Sequence, residues 1–224
     1  MTDLQLSLGK QSCEPLDYSK IEIKRGKLVT DVPALEGHEL FKRYEFTEDG
    51  VSPRVLPGEK GGLHHVTGVE HDEVGRPSES AINRQKMMDK RLGKLNDVYI
   101  RDAIRVDAPH ERPDLLIIGM GSTGGTIDQA RSWLAEEGIT TNHITIRQIH
   151  PFPTKLLLPY LQKAGKVLVV ENNATAQLAS QIKMHAGFAE KIESLLKYDG
   201  NPFLPSHVHH ACKELSLDGN VQRV

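Results

Sequence analysis

The sequence predicts an α/β fold, a three-layer α/β/α domain on a mostly parallel sheet, preceded by a long helix and an irregular N-terminal arm. Three observations predict it. Residues 115–118 form a short apolar run that enters a glycine-dense turn, and the turn opens an amphipathic helix. Two further apolar strands, at 142–150 and 166–172, are each followed by a helical pattern, and such alternation builds a parallel sheet. Apolar residues are concentrated in the second half, whereas residues 1–77 are polar and rich in turn formers. A chain of 224 residues supports one large domain, or a domain with an arm, when its apolar residues are gathered in this way.

Taken in order, residues 1–77 read as an arm or interface segment. A strand pair at 20–24 and 27–30 around Arg25-Gly26 predicts a hairpin. Between Gly50 and Pro77, nine of 28 residues are Gly or Pro, a composition that cannot build its own core. It is expected to lie against a partner domain. Residues 78–112 read as a linker, helical to about 106, with Ser78 or Ser80 as cap and a buried stripe of Met88, Leu92, Leu95 and Tyr99. Its basic residues Arg84, Lys86, Lys90, Arg91 and Lys94 read as a solvated face.

Residues 113–224 make the α/β domain. Its first helix should bury Ile127, Ala130 and Leu134. The next starts at Thr154 and is interrupted by Pro159. A third buries Leu178, Ile182 and Ala186 behind Thr175. A short helix over 191–198 and a last one over 206–215 complete the expectation.

Composition excludes several classes of function. A net charge of −2 gives no reason to expect nucleic acid or an anionic membrane as partner. No apolar run approaches the ~18 residues of a membrane span, and the first ten residues lack a signal-peptide core, so a soluble cytoplasmic protein is expected. Two cysteines, Cys13 and Cys212, cannot supply the four thiolates that usually hold an iron–sulfur cluster. No metal site is expected.

Gly119-Met-Gly121-Ser-Thr-Gly124 fits the spacing of a dinucleotide turn, but no acid stands about 20 residues on to take the ribose hydroxyls; those positions read Thr140, Thr141, Asn142 and His143. The turn is either purely structural or an anion cradle formed by Gly121, Ser122, Thr123 and Gly124. The loop with His64, His65, Glu70 and His71 carries imidazoles and carboxylates, but its glycines forbid the helical spacing of a zinc motif. It reads as a polar loop reaching a neighbouring site or subunit, or as a merely solvated loop. Glu171, Asn172 and Asn173 end a strand where open sheets place ligands, although Asn172 or Asn173 also suits the cap of the next helix. Cys212 beside His209 and His210 lacks any oxyanion site in view.

Residues 144–152 and 165–171 resemble the C-terminal domain of transketolase-like thiamine diphosphate enzymes. More narrowly, residues 44–54, 65–73, 119–125 and 170–177 resemble the alpha subunit of 2-oxoacid:ferredoxin oxidoreductases, with residues 197–203 closest to the 2-oxoglutarate branch. Gly124 departs from that pattern, where a lysine is common, so no direct charge contact to an anion is implied there. The resemblance implies the C-terminal part of an alpha subunit, with residues 1–8 as the remnant of a pyrimidine-binding domain and the remaining alpha domains fused upstream or supplied separately. It further implies oxidative decarboxylation of a 2-oxoacid to an acyl-CoA with reduction of ferredoxin. Thiamine diphosphate, magnesium and the iron–sulfur cluster would be held with a beta subunit, and coenzyme A would be co-substrate. The isolated chain is then expected to be an inactive scaffold, with no catalytic residue of its own. Two other classes remain open, a free-standing nucleotide- or anion-binding α/β protein and a non-catalytic interaction domain.

Overall fold

A computed structural model describes residues 3–32, 39–96, 98 and 100–216. The chain forms two compact units, one of Met1–Ser12 with Ile100–Val224, the other of Cys13–Tyr99. This division differs from the expected boundaries at 77 and 112. The Gly/Pro-rich stretch and the linker helix pack as one unit, and the first residues join the α/β domain.

In the α/β unit, β1 (Ile104–Asp107), β2 (Leu115–Met120), β3 (Thr141–Ile146), β4 (Lys166–Glu171) and β5 (Ile192–Leu196) form a sheet of order β1-β3-β2-β4-β5. All neighbours are parallel except β1, which runs antiparallel to β3 at one edge. Side chains along a strand alternate between faces. Leu115 and Ile117 therefore meet Ile127, Ala130 and Leu134 of α3 (Thr123–Glu136) and Val208, Ala211 and Leu215 of α6 (Pro205–Ser216). Leu116 and Ile118 meet Leu157 and Leu161 of α4 (Thr154–Lys163) and Leu178, Ala179 and Ile182 of α5 (Gln177–Ala186) on the opposite face. The three-layer expectation holds, and each fully buried Leu or Ile contributes about 1.5–3 kcal/mol.

Several element expectations are corrected. Residues 191–198 contain β5 rather than a helix, because all five of its residues extend the parallel ladder beside β4 and bury Leu195 and Leu196. The linker helix, α2 (Ala81–Gly93), ends at Gly93 instead of reaching 106, and residues 104–107 form the edge strand β1. Ser80 caps α2 by accepting from the Asn83 N–H at 3.3 Å. The buried stripe is also displaced. Met87 is 1 % exposed, whereas Leu92 is 60 % exposed, and Tyr99 lies outside the described residues.

No hairpin forms around Gly26; Leu28 instead bridges Arg54 in parallel. Pro159 does not interrupt α4, because it lies on the exposed side where a missing N–H can be replaced by water. Among the described residues no helix is long and apolar enough to cross a membrane. A short helix, α1 (Leu4–Leu8), belongs to the α/β unit.

Candidate functional site

The carboxyl ends of β2, β4 and β5 open into a cavity of ≈ 290 Å³ bordered by Asp3, Met120, Glu171, Asn173, Lys197 and Asn201. Open parallel sheets place ligands at this edge. The local sequence explains its shape. Gly119 leaves room for Thr123, whose hydroxyl donates to the Met120 carbonyl at 3.0 Å and accepts from the Met120 N–H at 3.1 Å. Gly121 has φ +62, a conformation that glycine adopts without strain, and a Cβ there would fall on the Asp3 carboxylate.

An anion does sit on the turn, and it belongs to the chain itself. The Ser122 N–H donates to Asp3 Oδ2 at 2.7 Å, while Asp3 Oδ1 accepts from the Leu6 N–H at 3.0 Å and caps α1. Burial opposes ionisation of Asp3, but these backbone donors outweigh it and hold its pKa below 3.8. A Cβ added at Gly124 would meet nothing within 4 Å. Of the cradle residues, Ser122 thus contacts the carboxylate directly, Gly121 gives it room and Thr123 pins the turn.

Glu171 closes the opposite wall. Its buried carboxylate accepts from the N–H groups of Leu178 and Ala179 at 2.7 and 3.1 Å and from Asn173 Nδ2 at 2.6 Å. Asn173 Oδ1 accepts from the Gln177 N–H at 3.2 Å, so the capping role expected at 172–173 falls to Asn173, with Glu171 beneath it. The first-turn donors of α5 are thereby satisfied by a carboxylate that also favours the positive end of the helix. Sequence reasoning missed Glu171 as a cap because it lies six residues before the helix begins. Lys197, also buried, pairs with Asp199 at 2.8 Å, and that lysine together with the Asn201 N–H holds the Asp199 carboxyl at about 2.

The loop candidates lie in the other unit. Glu70 receives Arg91 Nη2 at 2.6 Å and Arg84 Nη1 at 2.6 Å, and the two guanidinium groups hold its carboxyl well below the usual range. Glu70 therefore ties the loop to α2. His64 Nδ1 lies 2.8 Å from the Gly62 carbonyl and His71 Nδ1 lies 3.0 Å from the Val69 carbonyl. A carbonyl accepts only, so each Nδ1 carries a proton, and in the neutral ring Nε2 then keeps its lone pair. His71 also packs on Tyr44, ring centroids 4.1 Å apart. His65 is exposed, with its backbone N–H on the Val74 carbonyl at 2.9 Å.

The remaining candidates divide plainly. Cys212 is buried in the core between α3 and α6, where burial pushes its thiol up to about 12, and His209 and His210 pair with Glu137 and Glu214 instead. Among the described residues no three His, Cys, Asp or Glu side chains are grouped to hold a metal ion.

A mostly parallel sheet with helices on both faces and this strand-to-helix turn define an α/β domain, and residues 113–208 match the family described as pyruvate:ferredoxin oxidoreductase core domain II. The whole chain belongs to the family of 2-oxoacid:ferredoxin oxidoreductase alpha subunits. It is 34 % identical over 214 residues to the alpha subunit of 2-oxoacid:ferredoxin oxidoreductase 1 from Sulfurisphaera tokodaii, covering 94 % of this chain and 32 % of that one. It is 29 % identical over 155 residues to the 2-oxoglutarate oxidoreductase subunit KorA of Mycobacterium tuberculosis, covering 69 % of this chain and 23 % of that one. Among solved structures, the 2-oxoglutarate:ferredoxin oxidoreductase from Magnetococcus marinus, with 2-oxoglutarate, coenzyme A and succinyl-CoA bound, matches with TM-score 0.72 and 31 % identity. That match covers 82 % of this chain and 32 % of the other. The chain thus spans about a third of the Sulfurisphaera relative's length.

Proposed function

We propose that this chain is the C-terminal third of the alpha subunit of a 2-oxoacid:ferredoxin oxidoreductase that acts on 2-oxoglutarate. The observation that carries the reading is the likeness to the Magnetococcus enzyme across both units, at 31 % identity. The intact enzyme would convert 2-oxoglutarate and coenzyme A to succinyl-CoA and carbon dioxide, passing two electrons singly to ferredoxin. Thiamine diphosphate, when bound, supplies the carbanion chemistry, and the protein supplies position and electrostatics.

The described residues of this chain do not fit that cofactor, its magnesium or a cluster. Its glycine turn already carries the Asp3 carboxylate, and one of its two cysteines is locked in the core. These groups are assigned to the beta subunit and to the rest of the alpha subunit, whether that is fused or a companion chain. The share of this chain is a scaffold, the α/β unit, and a polar loop in the other unit. In this reading His64, His65 and His71 of that loop act near the active site at the subunit interface, with Glu70 holding the loop in shape. The complex is read as cytoplasmic.

Two other readings are weaker. A free-standing nucleotide enzyme is disfavoured by the occupied turn, and a pure interaction domain leaves the two Nε2 lone pairs unused. The deciding experiment assembles the complete alpha subunit with its beta subunit and follows coenzyme A-dependent ferredoxin reduction. Turnover with 2-oxoglutarate at least tenfold above that with pyruvate supports the reading; turnover with neither, or faster turnover with pyruvate, defeats it.

A further inference from the structure

We propose that the Cys13–Tyr99 unit contains a second, separate binding site, a cationic cavity that takes a phosphorylated anion of nucleotide size. The cavity measures ≈ 540 Å³ and is bounded by the loop at residues 25–27, the segment 43–54 and the inner side of α2. Pockets of this volume hold small organic ligands. Five basic residues, Arg25, Arg43, Arg54, Lys90 and Lys94, line it, and none has a carboxylate within ion-pair distance among the described residues. Two more line it with partners, Lys27 on Asp49 at 2.6 Å and Arg91 on Glu70. Among the described residues no carboxylate lines the cavity.

What holds these cations in place is the telling feature. Arg54 Nε and Nη2 donate to the Arg25 carbonyl at 3.1 and 2.7 Å, and Arg43 Nη1 donates to the Pro53 carbonyl at 3.4 Å while stacking on Tyr44. Lys90 Nζ donates to the Tyr44 carbonyl at 2.6 Å and to the Ser52 hydroxyl. Neutral acceptors orient the groups without cancelling their charge. Like charges gathered around one cavity repel, and desolvation together with Lys94, Arg43 and Arg91 lowers Lys90 to about 8 against the opposing pull of Glu73. An anion in the cavity relieves that repulsion.

Guanidinium and ammonium groups match phosphate oxygens, and a phosphate monoester or diphosphate carries the several negative charges such a lining needs. The Tyr44 and His71 rings, tilted 57° to one another, add aromatic surface against which a base can pack. The site shares only His71 with the loop histidines and stands whether or not the enzyme uses 2-oxoglutarate.

The test is calorimetric titration of the 224-residue chain with inorganic pyrophosphate, ADP and adenosine at matched ionic strength. Pyrophosphate and ADP should bind one site and adenosine should not; tighter binding of ADP assigns a nucleotide, and equal binding assigns free phosphate. The double variant R43Q/K94Q should weaken binding by about tenfold or more, whereas K86Q/K155Q, with the same loss of charge on exposed lysines elsewhere, should change it by less than about twofold. In the unaltered chain, pyrophosphate should protect Arg25 and Arg43 from phenylglyoxal, read by mass spectrometry, which covers the case in which the double variant fails to fold. Equal weakening by both double variants, absence of protection, or binding only of an acidic peptide would overturn the proposal.

Discussion

Asp3 and Ser122, 119 residues apart in sequence, meet through a 2.7 Å hydrogen bond that seats a carboxylate on the glycine turn. The turn therefore performs the anion binding for which its geometry is suited, with the anion supplied from within. Asp3→Ala should cost about 1 kcal/mol, the usual price of a lost helix cap, and should speed exchange of the Ser122 amide. Gly121→Ala should cost about 1–2 kcal/mol from its left-handed backbone alone. It should also expel the Asp3 side chain, so the two substitutions should combine less than additively in urea unfolding. Full additivity would show that the contact does not form.

Glu171 offers a second measurement. Two backbone N–H groups and one amide donor converge on its carboxylate in a buried setting. Glu171→Gln turns one acceptor oxygen into an NH₂ that faces donors, and the stranded groups should cost about 1–3 kcal/mol. Hydrogen exchange should localise the loss to the first turn of α5. An unchanged urea midpoint would refute the cap.

What the sequence revealed and what it concealed follow one physical division. Leu115–Ile118 was legible as a continuous apolar run buried on both faces of the sheet, and Ile127-Ala130-Leu134 and Leu178-Ile182 because their helical spacing matches the faces they bury. Residues 191–198 were misread because a five-residue strand with mixed polarity carries no periodic signal apart from its neighbour β4. The inner face of α2 was misread for a different reason. Lys90 and Arg91 point at carbonyls and at Glu70, so charge marked the packed side and Leu92 the exposed one. Asp3 at the glycine turn could not be foreseen from local pattern, because the partner lies 119 residues away in sequence.

Acid sensitivity should centre on His143. Burial drives its pKa below 6.5, against the opposing pull of Asp128, whose Oδ1 lies 2.8 Å from Nδ1; Arg131 and Arg105 add to the lowering. A histidine whose folded pKa is depressed binds more protons when unfolded. Its contribution to stability is therefore full above about pH 6.5 and is lost as pH falls toward the folded value. His143→Asn keeps a donor toward Asp128 but cannot titrate. The difference in urea midpoint between the two proteins should shrink steadily from pH 7 to pH 5; a constant difference would exclude His143 as the source.

The two thiols should differ sharply. Cys13 is exposed, whereas Cys212 is buried with its thiol pushed up to about 12. The thiolate is the reactive form, so the folded chain should titrate one thiol rapidly with a disulfide reagent and release the second only in denaturant. Rapid reaction of both would mean that the α3–α6 side of the core opens readily.

Within the polar loop, Glu70 and the histidines should separate by experiment. Glu70 bridges Arg84 and Arg91, so Glu70→Gln should lower the melting temperature and loosen residues 64–78. His64 and His71 each spend Nδ1 on a backbone carbonyl and keep Nε2 available, as does exposed His65 outside any such bond. Replacing all three by Gln should leave the melting temperature within about 2 °C, because each loses at most one hydrogen bond at a partly solvated position. In the assembled enzyme the same change should reduce turnover, by about tenfold or more if a lone pair moves a proton. A triple variant with full turnover would remove the loop from the active site, and one that fails to assemble would assign it to the subunit contact alone.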